Sequence, residues 1–265
     1  MNNIANAANT NHVLVLFSGG KDSFLATAML VEQGYTARLL TCNNGAVQAE
    51  KNILHGVRRL QNKYGENRVR FEGAASTAGI IQRLNTAWMY ESQKSLSEKY
   101  PDIVNAQLLC LHCQTAMWIS AIAYAEAKGI KTIATGYHDY DEFCTGCVEY
   151  INLIREIAET RGIKIILPIW DKSEWQDKTT RDIAMIEMFF EPQVLEPKCM
   201  LGMPVNPMNE NERTQLIAFF RDNIMSKMQE NIDKQIPHFR VAKLSETALI
   251  AIEYPLPEKD NGCIF

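Results

Sequence analysis

The hydrophobic pattern alternates short, continuous apolar runs with longer stretches in which apolar residues recur every three or four positions. The short runs are rich in β-branched residues and predict strands, whereas the longer stretches predict amphipathic helices. The predicted strands are 13–17, 36–42, 68–71, 130–135 and 163–168. The predicted helices are 23–33, 49–64, 80–100, 114–128 and 148–161. Strands separated by helices of this length predict an α/β fold, a parallel sheet with helices on both faces.

The two ends of the chain differ from this alternating region. Residues 1–11 contain neither basic residues nor an apolar run, so a disordered lead-in is predicted rather than a signal peptide. Residues 12–205 are predicted to form the main domain, and 206–265 a small C-terminal appendage of a helix capped by Asn209 and a β-hairpin over 239–254. No window reaches the ~20 apolar residues of a membrane span. These features predict a cytoplasmic protein that has no membrane partner.

The most informative segment lies between the first predicted strand and the first predicted helix. Residues 18–23 read Ser-Gly-Gly-Lys-Asp-Ser, and a glycine turn that joins a strand to a helix aims backbone N–H groups and the helix dipole at one point. An anion binds at such a point, and the expected anion is a phosphate or pyrophosphate. The predicted binding residues are Ser18, Gly19, Gly20, Lys21, Asp22 and Ser23.

This segment resembles the Ser-Gly-Gly-x-Asp-Ser signature of the PP-loop ATP pyrophosphatases. The resemblance implies a Rossmann-like fold of the adenine nucleotide alpha hydrolase type and cleavage of ATP between its α- and β-phosphates. The loop then holds the pyrophosphate, while AMP is transferred to a substrate oxygen. Lys21 and Asp22 are the implied catalytic residues. A carboxylate beside phosphates requires a cation between them, so ATP and Mg²⁺ are the implied cofactors.

Ligands of parallel sheets bind beyond the carboxyl ends of the strands, where three further predicted turns meet this loop. In the PP-loop resemblance, Thr41 and Asn43 seat the adenosine after the second strand. Gly136 and His138 belong to a second nucleotide loop, although a lone loop histidine is as often a surface residue. The other implied residues are Asp139 or Asp141 as a Mg²⁺ ligand with Asp22, and Lys172, for which a solvated turn lysine is an equally good interpretation.

Seven cysteines in a chain predicted to be cytoplasmic indicate metal binding rather than disulfides. Five of them form two Cys-x-x-Cys pairs and a single later residue, namely Cys110, Cys113, Cys144, Cys147 and Cys199. Four thiolates supply the tetrahedral set that Zn²⁺ prefers. Three of them, Cys110, Cys113 and Cys199, could instead hold a [4Fe-4S] cluster with one open iron. Both alternatives stay open, as does incidental or buried cysteine.

Within the superfamily, the chain is most similar to 7-cyano-7-deazaguanine synthase. The similarity rests on the loop, on segments 135–141, 147–151 and 165–174, and on Cys199. It implies ATP-dependent adenylation of a 7-deazaguanine carboxylate, then attack by ammonia to give an amide and a nitrile, as in queuosine biosynthesis. That family gathers four zinc-binding cysteines near the end of its chain, but only Cys199 lies there in this sequence. A changed acceptor amine, on a partner protein as in antiviral systems, is a further possibility.

Two other functions remain open. The first is a tRNA sulfurtransferase that adenylates a base carbonyl and replaces its oxygen with sulfur, because the segment from Cys110 to Asp139 also looks like that of tRNA-thiolating members. The formal net charge of −4 weighs against it, since tRNA binding requires phosphate contacts from Lys and Arg. The second is a nucleotide sensor without catalysis, which an intact Lys21 and Asp22 argue against. The oligomeric state is not predicted.

Overall fold

The computed structural model describes residues 11–44, 50–90, 98–103, 105–140, 143–188, 190, 207–236 and 241–243. The strands are β1 His12–Leu16, β2 Thr36–Asn43, β3 Val69–Ser76, β4 Thr132–Thr135 and β5 Lys164–Ile166. The helices are α1 Lys21–Glu32, α2 Glu50–Tyr64, α3 Ala78–Tyr90, α4 Asn105–Ala127, α5 Val148–Glu159, α6 Lys178–Glu187, α7 Glu210–Asn223 and α8 Met225–Gln235. From β1 to β5, helices separate successive strands as the hydrophobic pattern predicts, with two helices, α3 and α4, between β3 and β4.

The five strands form one parallel sheet in the order β3-β2-β1-β4-β5. The chain adds β2 and β3 on one side of β1 and then returns to add β4 and β5 on the other. This reversal creates a crevice beyond the carboxyl ends of β1 and β4, where open α/β sheets bind their ligands. Leu16 at the end of β1 pairs with Thr135 at the end of β4, so the two following loops leave the sheet side by side.

The central strand β1 shows that helices cover both faces of the sheet. Val13 and Val15 face a core formed with α1, α2 and α6, whereas Leu14 and Leu16 face a core formed with α3, α4, α5, α7 and α8. All four side chains are buried. A strand with both faces buried reads as a continuous apolar run, which explains why β1 is so clear in the sequence. The predicted α/β Rossmann-like fold is confirmed.

Helix α4 is apolar on all sides because it lies in the core. Its segment Ala106–Ala127 is long and, on average, apolar enough to cross a membrane, although Gln107, His112 and Gln114 interrupt the apolar run; 72% of its most apolar window is buried inside the protein. Burial on this scale explains the composition without a membrane. The helix begins at Asn105, so the predicted start at 114 is wrong. Residues upstream of 114, which were predicted to precede the helix, form its first turns.

The C-terminal helices pack on the same core as α4. Asn209 caps α7 as predicted: its side chain accepts from the Glu212 amide at 3.0 Å, and the Glu212 carboxylate accepts from the Asn209 amide at 2.8 Å. Phe220 of α7 and Ile232 of α8 belong to the core cluster that contains α4. The predicted hairpin lies mostly outside the described residues, and of its span Ala242 pairs antiparallel with Ala74 of β3. The lead-in at 1–11 lies outside them except for residue 11.

Candidate active site

The loop between β1 and α1 has the backbone of an anion site. Gly19 adopts a φ of +79°, and a Cβ there would lie 2.8 Å from the backbone nitrogen of Ile53 in α2. Only glycine satisfies both conditions. The N-cap of α1 is Gly20, and no side chain caps that end of the helix. The first amides of α1 are therefore available to an anion, as at other phosphate-binding helix N-termini.

The two serines of the loop hold its shape. The hydroxyl of Ser18 accepts from the Gly20 amide at 3.2 Å, and the hydroxyl of Ser23 accepts from the Ser18 amide at 3.3 Å and donates to the Gly20 carbonyl at 3.0 Å. The two hydroxyl oxygens lie 3.2 Å apart. These bonds close the turn on itself, so the serines preorganise the loop before any ligand binds. Their predicted role as phosphate donors stays a prediction.

Gly136 brings the second predicted loop into contact with the first. A Cβ on Gly136 would lie 2.5 Å from the carbonyl carbon of Asp22 and 2.6 Å from the amide nitrogen of Ser23. Real Cβ atoms do not approach backbone so closely. The absence of a side chain at Gly136 therefore allows the chain after β4 to touch the first turn of α1.

A Gly136→Ala variant is expected to lose about 1–3 kcal/mol of stability, because the added methyl group meets backbone that cannot move aside without opening the loop. ATP turnover should fall with it. Gly79→Ala is the matched control, since a Cβ there would lie 3.7 Å from Nη1 of Arg83, an ordinary contact. Urea unfolding and ATP turnover of both variants check this expectation. Equal stability of the two variants would contradict it.

Lys21 lies at the first position of α1 and is completely buried. Its ammonium group forms a hydrogen-bonded ion pair with the carboxylate of Asp182 in α6. A buried ammonium requires a negative partner, because removal of its hydration otherwise costs several kcal/mol. Because Lys21 lies at the N-terminus of α1, a phosphate bound there can serve as the negative partner of its ammonium group in place of Asp182.

Asp22 lies between two groups that carry or can gain positive charge. Nη1 of Arg181 donates to Oδ1 and Oδ2 of Asp22 at 3.1 and 3.4 Å, and Nε2 of His138 lies 3.8 Å from Oδ2. The imidazole of His138 stacks on the ring of Tyr140, with centroids 3.7 Å apart. Burial, followed by the Asp22 carboxylate, raises the pKa of Tyr140 to about 12, so its hydroxyl stays protonated and donates to the Trp175 carbonyl.

Sequence reasoning missed helix α6, which supplies both ionic partners of the loop. Its apolar residues, 183–186, are consecutive rather than periodic, so the pattern does not predict a helix. A signal was present at its start: Asp177 caps the helix by accepting from the Thr180 amide at 2.8 Å. Neither Arg181 nor Asp182 was among the predicted site residues.

Thr41 and Asn43, which were predicted to bind the adenosine, make hydrogen bonds within the protein. The Thr41 hydroxyl donates to the Phe17 carbonyl at 2.8 Å, and the backbone carbonyl of Asn43 accepts from the Thr77 amide at 2.9 Å. Both are at the carboxyl edge of β2. The predicted roles of these residues stay predictions.

Asp139 and Lys172 lie after β4 and β5. Asp139 is exposed and its amide donates to the Trp170 carbonyl at 3.1 Å, which ties the two loops together. Nζ of Lys172 lies 3.8 Å from a carboxylate oxygen of Glu174. Asp141 lies outside the described residues. The predicted catalytic roles of Asp139 and Lys172 stay untested by these contacts.

Three of the paired cysteines, Cys110, Cys113 and Cys144, lie near two buried tyrosines. Burial raises the pKa values of Tyr137 and Tyr150 well above the usual range, and the neighbouring Cys144, Cys110 and Cys113 add to the effect. Nevertheless, among the described residues no three His, Cys, Asp or Glu side chains converge to hold a metal ion.

Three observations limit what the cysteines can do here. Cys110 and Cys113 lie inside α4 rather than at its N-terminus, so the amides at the start of the helix do not point at their thiols. The Asn44 amide donates to Sγ of Cys113 at 3.1 Å. Burial, with Cys113 nearby, raises the pKa of the Cys42 thiol. Cys199 lies outside the described residues, so zinc and the iron–sulfur alternative stay predictions.

A glycine turn carrying Lys21 and Asp22 at the head of α1, on a sheet with this strand order, defines a PP-loop ATP pyrophosphatase. The family model described as Thiamine biosynthesis protein (ThiI) matches residues 8–187, and the chain belongs to that family. The prediction of an ATP-using PP-loop enzyme that works by adenylation is thereby confirmed. No curated protein sequence matches the chain.

Solved structures match the chain at low sequence identity, and one of them, a 4-thiouridine synthetase, shares its fold. A 4-thiouridine synthetase in complex with RNA and ATP matches with a TM-score of 0.57 and 16% identity, covering 87% of this chain and 54% of that chain. An NMN synthetase from Francisella tularensis matches with a TM-score of 0.46, 11% identity and 90% coverage of both chains. A predicted subunit of tRNA methyltransferase from Methanocaldococcus jannaschii matches with a TM-score of 0.43, 20% identity and coverage of 66% and 74%. This chain spans about half of the 4-thiouridine synthetase chain.

Proposed function

We propose that the enzyme adenylates the carboxylate of a 7-deazaguanine and passes the activated acyl group to an amine. The carboxylate oxygen attacks the α-phosphorus of ATP, and the bond from that phosphorus to pyrophosphate breaks. The amine nitrogen then attacks the acyl carbon, AMP leaves with the bonding electrons, and the amine loses a proton to solvent. The adenylate is needed because a carboxylate oxygen is a poor leaving group and AMP is a good one.

The observation that carries the ATP-dependent step is the placement of Lys21 and Asp22 at the uncapped N-terminus of α1. Lys21 and the loop amides are fixed donors for negative charge that develops on the departing pyrophosphate, and fixed donors stabilise such charge best. Asp22 is a hard oxygen ligand of the kind that Mg²⁺ prefers. Mg²⁺ would neutralise the phosphate oxygens, and Gly136 keeps the second loop close to this point.

The deazaguanine acceptor rests on the segments of resemblance after β4 and β5 and on the acidic net charge of −4, which does not favour tRNA. Ammonia and an amine of a partner protein are both compatible with this chemistry. The partner protein, the cytoplasmic location and the oligomeric state stay predictions.

A second candidate, tRNA thiolation, is favoured by one feature of the site. The Cys42 thiol at the end of β2 lies near Cys113, whose sulfur accepts the Asn44 amide hydrogen bond, so thiols stand at the carboxyl edge of the sheet. A thiol at this edge that has received sulfane sulfur from a persulfide donor would attack the adenylated base with its outer sulfur, AMP would leave, and a thiol reductant would cleave the sulfur–sulfur bond to release the thiolated base. The family membership is compatible with either acceptor.

Acceptor-dependent release of AMP and pyrophosphate distinguishes the two candidates. The protein is incubated with Mg·ATP and ammonia plus 7-carboxy-7-deazaguanine, or with a persulfide donor and a thiol reductant plus tRNA. Release that requires the deazaguanine, and that stops when its carboxylate is replaced by hydrogen, supports the first candidate. Release that requires tRNA, with sulfur incorporation lost in Cys113→Ser but AMP release retained, overturns the first candidate in favour of the second. Release of AMP with neither acceptor overturns both.

A further inference from the structure

The first turns of α1 and α6 face each other through two adjacent, crossed ion pairs. Lys21 pairs with Asp182, and Asp22 pairs with Arg181. The two members on α1 are neighbours in sequence, and so are the two on α6. One turn of α6 therefore supplies an opposite charge to each of the two charged residues that the PP loop uses for chemistry.

We infer that Arg181 and Asp182 are part of the ATP site, where they exchange their present partners for the pyrophosphate and its Mg²⁺. This inference rests on the proposed ATP-dependent step. Arg181 then binds phosphate oxygens together with Lys21, and Asp182 joins Asp22 as a carboxylate ligand of the metal.

The charges of the four side chains support this exchange. Without nucleotide, two cations and two carboxylates neutralise one another in a partly buried space. Phosphate oxygens compete with carboxylates for Lys21 and Arg181, and Mg²⁺ competes with the two cations for Asp22 and Asp182. After the exchange, each of the four side chains still has a partner of opposite charge. This matters most for Lys21, because it is completely buried.

The chemistry of each side chain fits its proposed partner. A guanidinium offers a planar fork of donors that matches two oxygens of one phosphate, and Arg181 already places Nη1 within 3.4 Å of both oxygens of Asp22. Its side chain and that of Asp182 are 18% and 23% exposed, so a ligand in the crevice can reach them. Asp182 adds a second hard oxygen ligand, and Mg²⁺ is commonly held by one or two carboxylates plus substrate phosphates.

Binding of inorganic pyrophosphate tests the inference without depending on the acceptor. Calorimetry is performed on the full chain with pyrophosphate, in the presence and absence of Mg²⁺. Arg181→Gln is expected to weaken pyrophosphate binding about tenfold under both conditions, and Arg181→Lys to recover part of it. Asp182→Asn is expected to weaken it only when Mg²⁺ is present and to raise the Mg²⁺ concentration for half-maximal ATP turnover about tenfold.

Two control variants remove the same charges elsewhere. Glu187→Gln neutralises an exposed carboxylate at the other end of α6, and Arg221→Gln neutralises an exposed guanidinium on α7. Both are expected to bind pyrophosphate as the unchanged protein does. Should Asp182→Asn fail to fold because Lys21 loses its partner, Arg181→Gln and the conservative Asp182→Glu decide the matter, since a longer carboxylate also shifts the Mg²⁺ requirement.

The outcomes separate this inference from the proposed function. Variants that are less stable to heat but bind pyrophosphate and Mg²⁺ like the unchanged protein would make Arg181 and Asp182 purely structural and overturn the inference, even if AMP is formed. An unchanged protein that binds Mg·pyrophosphate but forms no AMP with any acceptor would overturn the proposed function and leave the inference standing when the variants bind weakly.

Discussion

Replacement of Asp22 by asparagine is expected to lower ATP turnover by about a thousandfold or more, because the neutral amide no longer attracts Mg²⁺ to the phosphates. The fold should be unaffected. Asp22 is only partly buried, and an asparagine in its place keeps an oxygen that accepts from Arg181. The loss therefore falls on the chemical step rather than on stability. Release of AMP under saturating ATP, beside the urea unfolding curve of each protein, measures the two effects separately.

The matched control for this experiment is Asp233→Asn. Asp233 lies on α8 and pairs with Arg161 at 2.7 Å, far along the chain from the loop and largely exposed. The Asp233→Asn variant is expected to keep full ATP turnover. Its free energy of unfolding should fall by less than about 1 kcal/mol, the usual contribution of an exposed ion pair. Full ATP turnover by Asp22→Asn would remove Asp22 from the catalytic set.

Replacement of Lys21 by methionine is expected to lower ATP turnover about a hundredfold or more, because the loop loses its one point charge on the departing pyrophosphate. Methionine has a similar length, so the packing of α1 on the sheet is preserved. Stability is expected to fall in the single variant and to recover when both charges are removed. The single variant leaves the Asp182 carboxylate without its cation, whereas Lys21→Met combined with Asp182→Asn removes both charges.

The double variant should unfold at a denaturant concentration equal to or above that of the unchanged protein, since replacing a buried ion pair by neutral groups is often neutral or stabilising. It should nevertheless remain inactive. Denaturant unfolding and AMP release of the single and double variants together check this expectation. Recovery of activity in the double variant would show that Lys21 serves only to neutralise Asp182.

The sequence predicts the part of the site that is local in the chain. The central strand, the glycine turn and α1 follow one another within residues 12–32, so the apolar run and the turn residues specify them directly. The same holds for the capping box at Asn209. The parallel sheet follows from the alternation of strands and helices, and its strand order places the loops after β1 and β4 together.

The part that could not be predicted depends on contacts between distant residues. Arg181 and Asp182 are 159 and 161 residues away in sequence from their partners Asp22 and Lys21 in the loop. They form ion pairs with the loop only when the fold packs α6 beside α1. The start of α4 was missed because its first turns carry the Cys-x-x-Cys pair, which suggests a metal loop rather than a buried helix. Apolar residues on every side of that helix obscure the usual period.

The transfer of oxygen from the acceptor to AMP tests the central claim most directly. The acceptor that supports turnover is labelled with ¹⁸O at its reacting oxygen, and the ¹⁸O content of the nucleotide product is measured by mass spectrometry. Adenylation at this PP loop predicts AMP that carries one ¹⁸O atom, together with unlabelled pyrophosphate. ADP with inorganic phosphate, or AMP whose new oxygen comes from water, would contradict it.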